Sequence, residues 1–457
     1  MKKTEITAQL AEFIQKTRFS DIPEHVIRKA KELVADFLGV TTAGAAEPPS
    51  RIVQGLVKEA GAVKESTVLG TALQSTATWA AFANGVAGHA LDFDDASQPM
   101  YGHPTVPVLP AALALGEVGN VSGATLLEAY IIGVEVTVKL SYGMNPAHYE
   151  HGWHSTCTLG SIGSTAAAAK LLKLEGEGLR SALALGASQA SGLQQNFGTM
   201  TKPFHAGRAA ENGVLGAILA GRGWTGDQQI LEAPLGFFHV FSGSGKCDSE
   251  KVVNQLGDPF DIDKPGIILK KYPSCAFSHP AVDAALILAG DPNFRADSVE
   301  KVVGEIHALA DQILIHRYPQ TGLEAKFSLE GCVALALLDG HVKSDSFADE
   351  KVRSAAVRDM MTRVERKVVP IRSDVKTEFG PAKVTVFLRG GRSLESTVGK
   401  AKGNPENPMS MKEIQDKYRD CCGGVLPHDS IEKSLGLLEG LDQLKSIREL
   451  TECYRIY

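Results

Sequence analysis

Four stretches carry residues whose types and spacing suit proton chemistry on a small acid. The first is Gly88-His89-Ala90-Leu91-Asp92-Phe93-Asp94-Asp95, followed by Gly102-His103-Pro104-Thr105. It sets three carboxylates within four residues, then a histidine stiffened by the proline after it. The second is Gly152-Trp153-His154-Ser155-Thr156-Cys157, with a histidine just ahead of an alanine-rich segment. Ser155 or Thr156 is expected to cap that helix. The positive helix end favours a neutral imidazole at His154, the form a general base needs, and offers free N–H groups to an anion. The third, Thr201-Lys202-Pro203-Phe204-His205, pairs a point charge with an imidazole in a polar loop before a helix, which suits a substrate carboxylate. The fourth, Lys270-Lys271-Tyr272-Pro273-Ser274-Cys275-Ala276-Phe277-Ser278-His279-Pro280, places two cations, a thiol and a histidine before another helix. Cys275, close to lysine and to a helix start, is a candidate for a lowered thiol pKa or for a buried structural thiol. Tyr142, Tyr149 and His151 are further acid/base candidates beside His154.

This set of His, Lys and Asp points to one chemistry. Lysines and helix N-termini hold carboxylates, and a histidine removes the proton alpha to one of them. Loss of a β-hydroxyl is then dehydration, reprotonation on the other face is epimerisation, and loss of CO2 is decarboxylation. All three require stabilised negative charge and proceed without a cofactor. His89, Asp92, Asp95 and His103 could be assembled into a cation site, but their spacing matches no standard signature, and no metal is expected. The sequence has no GxGxxG after a strand, no Walker A and no GxSxG, so nucleotide-dependent and serine-hydrolase chemistry lack local support.

The elements that must position these residues change character along the chain. Helical periodicity is expected in two helices over 4–45, then at 50–60 and 75–91, and in a pair over 105–142 broken at Gly119-Asn120. Further pairs are expected at 155–172 with 176–193, and at 205–221 with 226–233. Near 260, Asp258-Pro259 and Lys264-Pro265-Gly266 read as a boundary. Beyond it, a helix at 280–290 precedes a β-branched run from Val302 to Leu309, and helices follow at 324–338 and 349–362. Lys383 to Leu388 and Ser393 to Val398, joined through Gly390-Gly391, read as a β-hairpin. Helices at 410–421 and 430–448 close the chain. The expected architecture is a large all-helical domain, residues 1–265 plus 396–457, with an inserted smaller α+β domain at 266–395. The fourth motif falls at their junction, where small-molecule sites concentrate.

Composition narrows the partners. The 457 residues are 44% hydrophobic and 22% charged, ordinary for a soluble protein, and only 6% aromatic with 46 glycines, which favours closely packed helices over a β-sandwich. A net charge of −6 without a basic tract argues against nucleic acid and anionic membranes. No transmembrane segment is expected. The seven cysteines are odd in number and lack a CxxC, which fits free thiols in a reducing compartment. The first residues show no apolar leader, so a cytoplasmic location is expected.

Taken together, His89 to Asp95, Gly102-His103-Pro104, Gly152 to Thr156, Thr201-Lys202-Pro203 and Lys271 to Cys275 resemble the MmgE/PrpD family. Lys326-Phe327-Ser328 and the Gly403 to Pro408 loop followed by Met409-Ser410 extend the resemblance over essentially the whole chain. It implies a helical domain completed by the C-terminus, an inserted α+β lid, an interdomain active site, a homodimer and no required cofactor. The family includes 2-methylcitrate dehydratase, cis-aconitate decarboxylase and iminodisuccinate epimerase. Functional residues of its decarboxylase branch match Asp92, His103, His154, Lys202 and Lys270. Ala96 stands where that branch has threonine, Cys275 where it has histidine, and Ile313 or Leu314 falls near its lid tyrosine. The segment from Ala96 to Gly102 is shorter than is usual in the dehydratase.

The expectation is a hydro-lyase on a small di- or tricarboxylate. His103 or His154 is the base or acid, Asp92 orients the site, Cys275 is a further catalytic candidate, and Lys202, Lys270, Lys271 and His279 bind substrate. Tyr149 and His205 are additional site candidates. The alternatives are an epimerase of an iminodisuccinate-like acid using a Cys or Tyr second base, a cis-aconitate-type decarboxylase, and a non-catalytic helical binding protein.

Overall fold

The computed structural model describes residues 5–61, 63–370 and 379–456. The chain up to residue 250 is built on helices, and five of them frame the site: α1 (Glu24–Gly44), α2 (Ala77–Ala90), α3 (Thr105–Gly119), α4 (Gly123–Met144) and α5 (Ser155–Leu171). A sixth, α6 (Thr201–Gly221), lies across α2 and α5. Small residues at the crossings let these axes approach closely. A Cβ added to Gly85 of α2 would lie 2.7 Å from the Gly207 Cα of α6, and one on Gly163 of α5 would lie 2.7 Å from the Gly133 carbonyl of α4. The first of these crossings matters most, because α2 ends in the acidic motif and α6 begins with Lys202.

The second part of the chain adds α7 (His279–Ala289), α8 (Leu329–Asp339) and a sheet of β1 (Val299–His307), β2 (Val364–Val369), β3 (Ala382–Leu388) and β4 (Ser393–Val398). The spatial order is β2-β1-β3-β4. β1 and β2 run parallel with Val302 opposite Val364; the other pairings are antiparallel, with Val302 opposite Val386 and Val386 opposite Leu394. β3 alternates buried with half-buried or exposed positions, as a sheet with one covered face does. α7 covers that face, and α8 packs on α7 and β2. Gly390 and Gly391, both at positive φ, make the β3–β4 turn. After this sheet, Ser410 and Glu413 form a reciprocal cap on α9 (Met411–Cys422), which packs along α1 with Tyr418 against Gly39.

The protein is thus mostly helical with an α+β part, and several elements differ from the sequence expectation. Residues 226–233 form turns rather than a helix. Gly226 lies where a Cβ would come within 2.5 Å of the Ala184 Cβ, its N–H donates to Ser181, and the regular turn is delayed to Phe237–Ser242. Helix α6 begins at Thr201, so Lys202, Pro203 and His205 occupy its first turns rather than a preceding loop; proline is tolerated there because those N–H groups have no helical partner. The helix expected to reach 193 stops at Ser188, and the final long helix breaks at Gly440. Strand β2 was not foreseen: its sequence Val364-Glu365-Arg366-Lys367-Val368-Val369 gains its place only through pairing with β1, some sixty residues earlier. The pairing of Ser66–Thr67 with Gln74–Ser75 is too short to show alternation. Among the described residues, no helix is long and apolar enough to cross a membrane.

Candidate active site

The three carboxylates lie past the end of α2 rather than on it. α2 stops at Ala90, and Asp92 takes a left-handed backbone with φ of 52°. A non-glycine residue holds that conformation only where its surroundings impose it, which is commonest at functional sites. The surroundings here are lysines. Lys270 Nζ donates to the Asp92 carbonyl at 2.9 Å and to its Oδ1 at 2.8 Å. Lys202 Nζ donates to the same Oδ1 at 2.8 Å and to His89 Nε2 at 2.7 Å. Lys326 Nζ holds the Leu91 carbonyl at 2.6 Å, and Lys417 Nζ, paired with Asp36, spans the Phe93 and Lys270 carbonyls at 2.9 and 2.7 Å. The loop is therefore shaped by four buried cations brought from four separate parts of the chain.

The charge states follow from burial and these contacts. Burial alone would raise the Asp92 carboxyl, but Lys202 and Lys270 outweigh it and hold Asp92 far below the carboxylate range. Burial alone would lower Lys270, but Asp92 and Asp94 more than reverse it. Each ammonium spends two of its three N–H donors on the protein bonds above, which leaves one for a ligand. Lys202 also sits over the rings of Phe197 and Phe327, 5.6 and 5.3 Å from their centroids. The Asp92 Oδ2 atom is buried with no hydrogen-bond partner among the described residues.

Two histidines face this cluster. His103 Nδ1 lies 2.6 Å from the Asp95 carbonyl and 3.2 Å from Asp94 Oδ2, so Nδ1 carries the proton. Its Nε2, 3.7 Å from Asp92 Oδ1, is then the unprotonated nitrogen. Burial is the main cause that lowers the His103 pKa, with Lys270 and Lys202 adding to it. Asp94 also receives His89 Nδ1 at 2.9 Å and so orients both rings. His154 Nδ1 meets His205 Nδ1 at 3.0 Å, and burial pushes His154 well down, giving the neutral imidazole expected. His154 itself is the N-cap residue of α5. Ser155 and Thr156 lie inside the helix instead of capping it, and Thr156 Oγ1 accepts the His103 N–H at 3.1 Å.

These groups open on one narrow cleft of about 30 Å³. Asp92, His103, His154, Lys202, Lys270, Tyr149 and Cys275 all line it, as do Ala96, Ala276, Phe277, Ile313 and Phe327. Ala96, Cys275 and Ile313 therefore share one cleft with the cations.

Other candidates fall elsewhere. Lys271 is partly exposed and points toward Glu413, 3.9 Å away, since the adjacent Lys270 takes the inward direction. His279 is buried against Tyr272, with Nε2 3.2 Å from the Ser274 carbonyl, outside the cleft. His205 stands behind His154, and Tyr142 donates to Asp261 at 2.8 Å. Of the two readings open for Cys275, the buried thiol is the one found: burial, with Asp92 adding to it, pushes the thiol up to about 12, so it is a neutral S–H. Tyr149 is likewise held protonated by burial. Sequence reasoning missed the roles of Asp94, Lys326 and Lys417. Lys326 is marked only by the Lys326-Phe327-Ser328 string, and Lys417 sits in an ordinary amphipathic helix.

One metal-type cluster is present among the described residues: donor atoms of His89, Asp92, Asp94 and His103 lie within 4.8 Å of one another. The residues fit an ion poorly. His89 Nε2 and Asp92 Oδ1 already accept from Lys202, so a cation there would face an ammonium at hydrogen-bond range.

The buried histidines give the protein a pH signature. His148 and His279 are lowered to about 3, mainly by burial, from an unfolded value near 6.5. A depressed histidine contributes stability that is present above the unfolded pKa and lost as pH falls below it. Each of these two costs about 2 kcal/mol at pH 5. His89, His103, His154, His205 and His307 shift in the same direction. Asp95 and Glu135, raised to about 8 by burial, act oppositely, as do Glu32, Asp36, Glu117 and Asp261, raised in the same direction, so among the described residues six carboxyls oppose seven imidazoles. The urea midpoint is expected to fall between pH 6.5 and pH 5; a midpoint that holds or rises over that interval refutes the assignment of neutral buried imidazoles.

Comparison with known proteins places this geometry. The models of the MmgE/PrpD N-terminal domain and the MmgE/PrpD C-terminal domain match residues 8–250 and 272–443. A cis-aconitate decarboxylase of Mus musculus is 29% identical over 460 residues, covering 98% of this chain and 92% of its own length. The Homo sapiens cis-aconitate decarboxylase is 28% identical, covering 98% and 94%. One from Aspergillus terreus is 27% identical over 481 residues, covering 98% and 96%.

Proposed function

The chain belongs to the MmgE/PrpD family, and from that premise we propose that it is a cofactor-independent hydro-lyase acting on a small carboxylic acid by removal of the proton alpha to a carboxylate. One observation carries the reading. Two buried lysines, each with an N–H to spare, share a cleft with a histidine whose tautomer leaves Nε2 basic.

In this reading Lys202 and Lys270 bind the substrate carboxylate and stabilise the charge that moves onto it as the C–H bond breaks. His103 Nε2 takes the proton. Tyr149, protonated and in the same cleft, supplies a proton to the departing hydroxyl. His154 is the second donor or acceptor, according to which of the two facing nitrogens in the His154–His205 pair holds the proton. Asp92 stays ionised and keeps both lysines in place. The α+β part is read as a lid over the helical domain, in a homodimer in the cytoplasm.

Decarboxylation is the second reading, favoured by the names of the curated relatives. Three readouts on the purified protein separate the reactions. Formation of a conjugated double bond from a β-hydroxy acid marks dehydration, release of CO2 marks decarboxylation, and solvent deuterium entering Cα without net turnover marks epimerisation. The expected result is the first, abolished in Lys202→Ala. CO2 release alone would select the second reading, exchange alone would select the epimerase, and no turnover of any small di- or tricarboxylic acid by any readout would reject the assignment.

A further inference from the structure

One pair of titratable groups reaches from the cleft toward the surface. His154 lines the cleft and is 1% exposed. Its Nδ1 lies 3.0 Å from Nδ1 of His205, which stands on the first turns of α6 and is 4% exposed. Two neutral imidazoles facing each other in this way share one proton between the two nitrogens, because one must donate and the other accept. The His154 ring is held edge-on to Phe197, with centroids 4.9 Å apart, and its backbone N–H donates to the Gly192 carbonyl at 3.0 Å. Beyond His205 the cover is thin. A Cβ added to Gly192, at φ of 108°, would lie 3.4 Å from His205 Cγ, and both neighbours of that glycine, Ser191 and Leu193, are exposed. The charged and titratable groups around the pair are Lys202, His89 and His103, with the neutral Cys157 thiol on α5. Burial keeps both rings neutral, as a two-way transfer requires.

We propose that His205 is a relay residue that acts through His154, the pair passing protons between the surface at Ser191-Gly192 and the cleft. This rests on the lyase reading above and supplies its proton traffic. In the loading direction a proton-depleted group in the cleft takes the Nε2 proton of His154, His154 Nδ1 takes the proton of His205 Nδ1, and His205 Nε2 takes one from surface water. Both rings end neutral with their tautomers exchanged. In the unloading direction the proton left on His103 reaches His154 Nε2 through cleft water, the same bonds are made and broken in reverse, and the tautomers are restored. Dehydration takes up no net proton, so the two directions alternate once per turnover.

His205→Gln in the full-length protein keeps a hydrogen-bond partner for His154 Nδ1 but cannot pass a proton through. Its kcat is expected to fall about tenfold or more with KM within about twofold of wild type, and added imidazole is expected to restore part of the loss. The wild-type rate plotted against solvent deuterium fraction is expected to curve, because several protons move together, and that of His205→Gln to be linear. Adding His205→Gln to His154→Gln is expected to cost nothing further, since the outer ring acts only through the inner one. Wild-type kcat in His205→Gln, a loss that imidazole does not restore, losses that add, or a linear wild-type plot overturns the relay. Each leaves the lyase reading standing, because that reading is decided by the products formed and by Lys202→Ala. No turnover by the wild type overturns both. The wild-type plot decides the matter even if His205→Gln does not fold.

Discussion

Asp92→Ala is expected to destabilise the protein by about 3–5 kcal/mol, the loss associated with removing one partner of a buried ion pair. The reason is that Asp92 compensates two ammonium groups at once. Its Oδ1 accepts from Lys202 and Lys270, and both lysines are buried, Lys270 fully. Without the carboxylate, Lys202 keeps His89 and Lys270 keeps the residue-92 carbonyl, neither of which carries negative charge. The penalty should be partly recovered in two independent ways. Adding Lys202→Met to Asp92→Ala removes one stranded charge, so the double variant should be more stable than the single. Millimolar malonate should raise the melting temperature of Asp92→Ala more than that of the wild type, because a bound carboxylate replaces the missing one. Urea melts read the two variants, and thermal melts read the malonate effect. A single variant within about 1 kcal/mol of wild type would mean that the lysines are hydrated and that the site is not a closed ionic cluster.

The second large effect concerns catalysis. His103→Gln is expected to reduce kcat by about 10²–10⁴ with KM changed little, the range for loss of a positioned general base. Glutamine keeps a side-chain donor for the Asp95 carbonyl, which now receives His103 Nδ1, so the loop geometry should survive. The wild-type rate should fall on the acid side as His103 takes up a proton. Because burial lowers its pKa, that limb should lie below pH 6.5 and be absent from the residual activity of His103→Gln. His154→Ala, by contrast, disrupts a histidine pair and should leave the limb in place. A His103→Gln enzyme with wild-type kcat, or one that retains the limb, would transfer the base to His154.

Much of the site could be read from local chemistry. Asp92, His103, His154, Lys202 and Lys270 stood out because each is a titratable residue beside a turn-former or a helix start, and the structure brings all five to one cleft. Lys271 and His279 show where that reasoning ends. Adjacent residues on an extended segment point to opposite sides, so only one of Lys270 and Lys271 reaches inward, and composition alone does not tell which. Cys275 shows a further limit, since the nearby lysines left an activated thiol and a buried structural one both open, and burial decides for the second.

What the sequence determined by itself is whatever depends on periodicity and on short spacing: the helical first half, the Gly390-Gly391 hairpin, the family resemblance and the identity of the charged groups. What only the tertiary structure decided is their state. Helices α2 and α6 cross at Gly85 and Gly207, which sets Lys202 against Asp92 across 110 residues of sequence. The parallel β1–β2 pairing, the clamp of Lys326 and Lys417 on the acidic loop, and the left-handed Asp92 arise in the same way. The physical reason is common to all of them. A pKa, a tautomer or a strained dihedral is set by the dielectric and the partners around a group, and those partners come from wherever in the chain the packing of small-residue helix faces delivers them.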